Sequence, residues 1–569
     1  MNNLDWIVMS SFLVFVAVYG VWKTKGKKDI NGYILANRST PWYIITLSIM
    51  ATQASGITFL SGPGQAYADG MRFIQIYLGL PIAMVIISVI AVPYFHRLKV
   101  YTAYEFLEKR FDLKNRALGS ILFLMHRGLA CGLTILAPSL IISVLLGWDI
   151  HLTVFMIGGL VILYTSTGGT DAVNKTHLLQ MGIITVGMGA AFFMIFRLLP
   201  PDISFLDAVH VAGKSGKLNV IHFAFDWKDR YNIWTGLIGG TFLALSYFGT
   251  DQSQVQRYLS GRSIAQSRFG LLANGVFKLP MQFAIFFTGA MIFVFYQFVT
   301  PPIFFNSVET ANIENGAYSQ AYQELEAKHE RVHKEKQTHI RDMLAAIESR
   351  ADSDLEQSIQ MLQKSQDSES EIREEATTLI KKANPKADTN DTNYIFLSFV
   401  INFLPVGVVG LILACILSAS MSSTAAELNA LASVTVVDIY KRAFKKNASD
   451  RHYLIASKLA TVFWGIYAIN SALFANRLGS LGALIEAVNI LGSFFYGTLL
   501  GIFVIAFLFK SIGGNATFIA ALIAELIVLS CFFFTEIPYL WYNVIGCVVL
   551  IILAHLMNPL FVAINNNRN

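Results

Sequence analysis

Between Ser48 and Gly64 the chain reads Ser-Ile-Met-Ala-Thr-Gln-Ala-Ser-Gly-Ile-Thr-Phe-Leu-Ser-Gly-Pro-Gly, small and hydroxylated residues set inside an apolar segment. Backbone at membrane depth must satisfy its own N–H and C=O groups, so irregular chain persists there only where protein, water or a ligand supplies partners. The small residues from Ala51 to Gly56 let a helix unwind and aim freed carbonyls at a cation. A membrane helix broken in this way builds an ion site and a solute site together. A second residue able to do chemistry is Arg127, roughly ten residues into the apolar run 117–146 and so about 15 Å deep. A charge at mid-bilayer is costly and is a functional hypothesis by default. Its planar fork suits a carboxylate bidentately. That partner is either a solute or an internal group, with Glu486 or a helix carbonyl as the internal candidates.

These residues need membrane elements to position them. The chain has 569 residues, of which 54% are hydrophobic and 14% charged, the composition of an all-α integral membrane protein with many spans. The formal charge of +6 gathers in short clusters between apolar runs, where the positive-inside rule explains it and nucleic acid is excluded as a partner. The four cysteines, Cys131, Cys415, Cys531 and Cys547, lie inside apolar runs without metal-ligand spacing. The run from Trp6 to Trp22 reads as a retained first span, since no small-residue cleavage site follows it.

Thirteen spans are expected, at 6–22, 41–61, 72–95, 117–146, 150–167, 178–199, 233–255, 271–300, 405–436, 453–475, 479–509, 514–534 and 538–556. Alternate loops carry the positive charge, at Lys23 to Lys28, His96 to Arg116, Arg257 to Arg268 and Lys441 to Lys446. Those loops belong in the cytoplasm, with the N-terminus outside and the C-terminus inside. The second span and the seventh, broken near Gly249, stand five spans apart, which predicts two inverted repeats of five helices. Asp251 after that break is expected to fix a helix end or to pair with Arg257.

Residues 301–392 differ in kind. They hold 18 acidic against 11 basic residues, a net −7 beside +13 for the rest of the chain. Ile340, Met343, Leu344 and Ile347, then Leu355, Ile359 and Leu362, recur at helical spacing, so a soluble helical hairpin on the outer face is expected. The hairpin is either a solvated insertion or a platform for an outer protein partner. The chain thus divides into membrane helices over 1–300, the insertion over 301–392 and membrane helices over 393–569.

Four further stretches extend the pattern: Ala-Asn-Arg-Ser-Thr-Pro-Trp (36–42), Tyr-Thr-Ala-Tyr-Glu-Phe-Leu-Glu-Lys-Arg-Phe (101–111), Gly-Thr-Asp-Gln-Ser-Gln-Val-Gln-Arg-Tyr-Leu (249–259) and Ser-Ala-Ser-Met-Ser-Ser (418–423). With the Ala51 to Ser55 segment they resemble the sodium:solute symporter family over nearly the whole chain except the insertion. The resemblance implies an inverted-repeat, broken-helix fold in the cytoplasmic membrane, with sodium as the co-transported ion. Carried over position by position, it gives sodium the carbonyls of Ala51, Ala54 and Ala419 and the hydroxyls of Ser422 and Ser423. A second sodium site known in some members lacks its residues here, where His177, Ala425 and Ala426 stand, so one sodium is expected. Either a protonated His177 paired with nearby Glu427 stands in for the missing cation, or His177 faces the cytoplasm and Glu427 is loosely solvated.

For the solute, the resemblance implies a pocket of Gln53, Ser55, Thr58, Tyr77, Arg127, Tyr247 and Lys278. Tyr247 and Lys278 align with sugar-pocket residues of the sugar branch, whereas Gln53, Thr58 and Tyr77 replace its polar readers. Arg127 resembles the arginine that meets the substrate carboxylate in the sialic-acid branch. The expected function is therefore sodium-coupled import of a small organic solute bearing a carboxylate, such as sialic acid or a monocarboxylate, by alternating access. A sodium/monosaccharide symporter and a transport-like membrane sensor are the alternatives. No nucleophile elbow, phosphate loop or zinc spacing occurs, so no catalytic residues are expected. Glu525 has no assigned role.

Overall fold

The computed structural model describes residues 1–24, 35–385, 387–478 and 482–566. Of the expected basic loop from Lys23 to Lys28, residues 25–28 lie outside the described residues, as do the first residues of the span expected from 479. Among the described residues the secondary structure is helical throughout, with nine helices long and apolar enough to cross a membrane. Shorter apolar helices add to them, including Thr235–Gly249, which forms half of a broken span.

Two spans break where the sequence places small residues. The first runs as Trp42–Gln53, parts at Ala54 and Ser55, and resumes as Gly56–Asp69. The second enters through a π turn at Thr235–Gly239, continues as Gly240–Gly249, parts at Thr250 and Asp251, and resumes as Gln252–Leu259. Around them pack the arginine-bearing helix Leu113–Leu146, the serine-rich helix Val408–Val434 and the helix Leu484–Leu508. The serine-rich helix is buried almost along its whole length, as a helix surrounded on all sides must be.

The helical stretch Ile150–Leu198 covers the spans expected at 150–167 and 178–199, and its two halves run in opposite directions. Gly158 lies against Ile469 and Ile162 against Gly465, which sets the first half antiparallel to the helix Asp450–Leu478. Gln180 Nε2 donates to the Ser418 carbonyl at 3.2 Å and Gly187 lies against Cys415, which sets the second half antiparallel to Val408–Val434. Those two neighbours oppose each other, since Leu113–Leu146 pairs Gly128 and Gly132 with Trp464 and Ser471 but Arg127 and Thr134 with Glu427 and Thr424, so the stretch crosses twice, as expected.

Outside the spans, Ser319–Ser349 and Asp352–Ala383 form an antiparallel hairpin, turned at Arg350 in a left-handed conformation (φ +55°). Ile340, Met343 and Leu362 are fully buried, while Leu344, Ile347, Leu355 and Ile359 pack beside them. The hairpin is anchored by polar bonds as well. Arg373 holds the carboxylate of Asp391 through Nη2 at 2.8 and 3.0 Å, and Asp391 accepts the Phe305 N–H at 2.8 Å. Asp391 immediately precedes the helix Thr392–Phe403, which lies along the C-terminal half of the first broken span. Gly64 permits that approach, since a Cβ there would stand 1.9 Å from the Thr392 carbonyl oxygen.

Inside the hairpin Glu369 accepts from His333 Nδ1 at 2.9 Å and from the Lys336 ammonium. Burial alone would raise the Glu369 carboxyl, but the His333 bond and the Lys336 charge outweigh it and hold the group at about 2. A depressed carboxyl contributes stability that is present above its unfolded value of 4.5 and is lost as pH falls through about 2. The hairpin is therefore expected to keep its protease resistance at pH 4. Glu369→Ala leaves Lys336 buried without a counter-charge, at a cost of about 3–5 kcal/mol. Limited proteolysis of the hairpin in wild type and variant between pH 7 and pH 4 checks both statements.

Candidate functional site

At the first break the helical ladder stops with the Ala54 N–H on the Met50 carbonyl at 2.7 Å. Ala54 (φ −82°, ψ 72°) and Ser55 (φ −75°, ψ 171°) then leave the helix, and the carbonyls of the last turn, Ala51 among them, lose their i+4 donors. The serine-rich helix lies directly against this break. A Cβ on Gly56 would fall 1.7 Å from Ser420 Oγ and 3.0 Å from the Ile416 carbonyl oxygen. Ala419, Ser422 and Ser423 are all buried. Ser423 Oγ donates to the carbonyls of Ala419 or Ser420, at 3.0 and 3.1 Å, whereas Ser422 Oγ is buried with no hydrogen-bond partner in the structure. Neutral oxygens with unspent acceptor capacity suit a monovalent cation that must be released again. Gly56→Val is expected to part the two elements and abolish sodium-driven uptake, while Gly159→Ala, where an added Cβ meets nothing, leaves uptake near wild type. Radiotracer uptake in vesicles compares them.

Beside the break lies a cavity walled by Gln53, Ser55 and Thr58 of the first broken span, Tyr77, Arg127, Tyr247, Glu427, Asn489 and Tyr496. Six of the seven solute residues expected from the sequence thus meet at one place. Lys278 does not join them. It is fully buried on Ile264–Phe298, its Nζ has no hydrogen-bond partner in the structure, and it stays outside the cavity wall. Gln53 Oε1 on the wall is likewise an unpaired acceptor.

Arg127 organises the cavity, and its partners correct two expectations. It does not meet Glu486, which accepts instead from Arg230 Nη1 at 2.7 Å and from the Tyr231 hydroxyl at 2.8 Å. Its Nε donates to Asp251 Oδ2 at 3.1 Å, and its Nη2 reaches the same oxygen and the Tyr496 hydroxyl, the latter at 2.7 Å. Its Nη1 donates to Glu427 Oε1 at 2.9 Å. The Tyr247 ring packs 5.3 Å from the guanidinium carbon, and Tyr247 accepts from Gln254 Nε2 at 2.6 Å. Asp251 both caps the helix Gln252–Leu259, through the Ser253 N–H at 2.9 Å, and holds Arg127. Its expected partner Arg257 lies buried on that helix and donates to the Ser253 carbonyl at 3.2 Å.

The pairing of His177 with Glu427 is also replaced. His177 Nδ1 stands 3.1 Å from Ser48 Oγ, at the first broken span. Glu427 turns the other way, with Oε2 3.1 Å from Thr134 Oγ1, which in turn lies 3.0 Å from Thr424 Oγ1. Arg127, Glu427, Thr134 and Thr424 therefore form one polar chain from the cavity to the residue after Ser423. The arginine-bearing helix, the second break and the serine-rich helix meet in this chain, so a shift of one element is felt by the others. Tyr496, Thr134 and Glu427's role on Arg127 were not foreseen from the sequence. Counting buried charges would have exposed the last, since Asp251 and Glu427 are acids in apolar surroundings near one arginine.

Two broken spans meeting a buried helix of hydroxyls, with a polar cavity beside them, define an inverted-repeat secondary transporter. The family model for the sodium:solute symporter family matches residues 33–330 and 377–523, and the chain belongs to that family, as a sodium-coupled symporter. It is 24% identical to the sodium/sialic acid symporter NanT of Aliivibrio fischeri over 100% of this chain and 95% of that protein. It is 26% identical to the mouse sodium-coupled monocarboxylate transporter 1, over 88% of this chain and 68% of that one. The solved structure of a substrate-bound, outward-open Na+-coupled sialic acid symporter superposes with a TM-score of 0.74 at 23% identity, covering 98% of both chains. That likeness shows the shared fold.

Proposed function

We propose that this symporter imports a small carboxylate-bearing solute across the cell membrane, together with one sodium ion, with its N-terminus outside and its C-terminus in the cytoplasm. Sodium sits among the carbonyls of Ala51, Ala54 and Ala419 and the hydroxyls of Ser422 and Ser423. It holds the two sides of the first break together and so favours the outward-open state. The solute then fills the cavity between the two broken spans, and both leave together when the inner side opens. No covalent step is needed. On this reading 1–300 and 393–569 are the transport body, and 301–392 is an outer insertion open to a protein partner.

The observation that carries the solute class is Arg127 on the cavity wall. Asp251, Tyr496 and Glu427 take four of its contacts, and a guanidinium has five N–H groups, which leaves one on Nη1. A solute carboxylate takes that edge, sharing it with Glu427 or displacing it. The relatives named for sialic acid and for monocarboxylates support an acid. A second reading has an observation of its own: two carboxylates already neutralise Arg127, and Gln53 Oε1 offers an acceptor to a hydroxyl, as a neutral sugar would want.

The deciding experiment measures binding of sialic acid, short monocarboxylates and simple hexoses to purified protein, with and without sodium, in wild type and Glu427→Gln. Under the carboxylate reading an acid binds only with sodium, and the variant, which removes the Glu427 charge that competes for the Nη1 edge, binds it more tightly. A hexose that binds in both proteins alike, with no acid bound, would establish the second reading.

A further inference from the structure

On the side of the first broken span away from the solute cavity, a crevice of about 1000 Å3 opens between Trp42–Gln53, Ile150–Leu198 and Ile264–Phe298. Its walls are almost wholly apolar, with Thr46, Thr185 and Thr288 the polar exceptions. Two glycines hold it open. Gly182 and Gly189, two turns apart on one face, both line it, and a Cβ added at either would meet nothing within 4 Å. Across from them Pro280, which contributes no N–H to the ladder of its helix, lines the facing wall. Among the described residues no side chain fills the space. The rim carries Leu178, Phe277 and Phe283, each 45–57% exposed.

Two walls belong to stretches apolar enough to span a bilayer, Thr176–Leu198 and Ile264–Phe298, so the medium outside the rim is hydrocarbon. A void left among such groups forfeits their dispersion contacts, and a flexible chain is the shape that restores them. The mouth near Trp42 adds a charge. The Arg262 N–H donates to the Thr40 carbonyl at 3.2 Å, which puts the exposed Arg262 beside the first turn of the helix that walls the crevice. Trp42 and Tyr43, 41% and 49% exposed, stand there as interfacial aromatics do.

We propose that the crevice is a binding site for one phospholipid with an anionic headgroup, its acyl chain lying along Gly182 and Gly189 and its phosphate at Arg262. The lipid would touch Thr46, Leu47 and Met50, on the half-helix that ends at the sodium-side break. It then acts as a wedge behind that half-helix, and the rate at which the half-helix swings depends on it.

The test uses the full chain, stripped of lipid in detergent and titrated with phosphatidylglycerol or phosphatidylcholine, with bound lipid counted by native mass spectrometry. Wild type is expected to retain one phosphatidylglycerol, with roughly fivefold preference over phosphatidylcholine. Arg262→Gln is expected to lose the preference and keep the lipid, and Gly189→Phe to lose the lipid. Equal retention in wild type and Gly189→Phe would overturn the proposal. Should the variant fail to fold, a phospholipid with a diazirine in its acyl chain decides on wild type alone. Adducts concentrated at Met181, Met188 and Met281 support the site, and adducts spread evenly around the perimeter refute it.

Discussion

Arg127→Ala is expected to abolish sodium-driven uptake and to destabilise the protein by about 3–5 kcal/mol, because it leaves Asp251 and Glu427 buried with no counter-charge. The same loss would withdraw the donor to the Tyr496 hydroxyl, which keeps only its own bond to Asp251 at 2.9 Å, and the cation under the Tyr247 ring. Charge and geometry can be separated. The triple variant Arg127→Met, Asp251→Asn, Glu427→Gln removes all three charges together, so most of the lost stability should return, since a buried pair replaced by neutral groups costs little. Uptake should not return, because the guanidinium edge and the links between the three helices are gone. Arg127→Lys should fall between, for an ammonium can pair with one acid but cannot hold Asp251 with two nitrogens. Thermal unfolding followed by size-exclusion, with tracer uptake in vesicles, reads both quantities. A single Arg127→Ala protein that melts and transports like wild type would remove the cluster from the mechanism.

What the sequence foretold, and what it hid, divides along sequence distance. The breaks at Ala54 and Thr250 were legible because small or polar residues interrupt apolar runs, a local signal with a local cause. The hairpin was legible through the helical spacing of Ile340 to Leu362. The pairings of Arg127 were not, since Asp251 lies 124 residues away and Glu427 lies 300. A sequence states that the charges exist, and only the packing of three helices decides which of them meet. The alignment that placed Lys278 in the solute pocket carried it to Ile264–Phe298, a helix with no residue on the cavity wall. The two spans within 150–198 were legible as separate apolar runs, and the opposite directions in which they pack agree with that division.

Ser422→Ala is expected to raise the sodium concentration for half-maximal uptake by roughly 10–100-fold, the equivalent of one charge-assisted contact worth about 1.5–3 kcal/mol. Ser422 is the informative position because its hydroxyl is buried and spends no hydrogen bond on the protein, so removing it takes nothing from the sodium-free fold. Ser423 differs: its Oγ already donates to a carbonyl of its own helix, and Ser423→Ala changes local packing as well as the ion's ligands. The melting temperature without sodium should therefore match wild type in Ser422→Ala. The added stability from sodium should separate the two proteins, since an ion that binds only the folded state at about 100 times its Kd contributes ~2.7 kcal/mol. A tenfold weaker site loses half of that at the same concentration, and a hundredfold weaker one loses most of it. Melting curves over a sodium series, with potassium at constant ionic strength as control, measure the difference directly. Identical sodium-dependent shifts in wild type and Ser422→Ala would show that the ion rests elsewhere, and the freed carbonyls at Ala51 and Ala54 would then need another occupant.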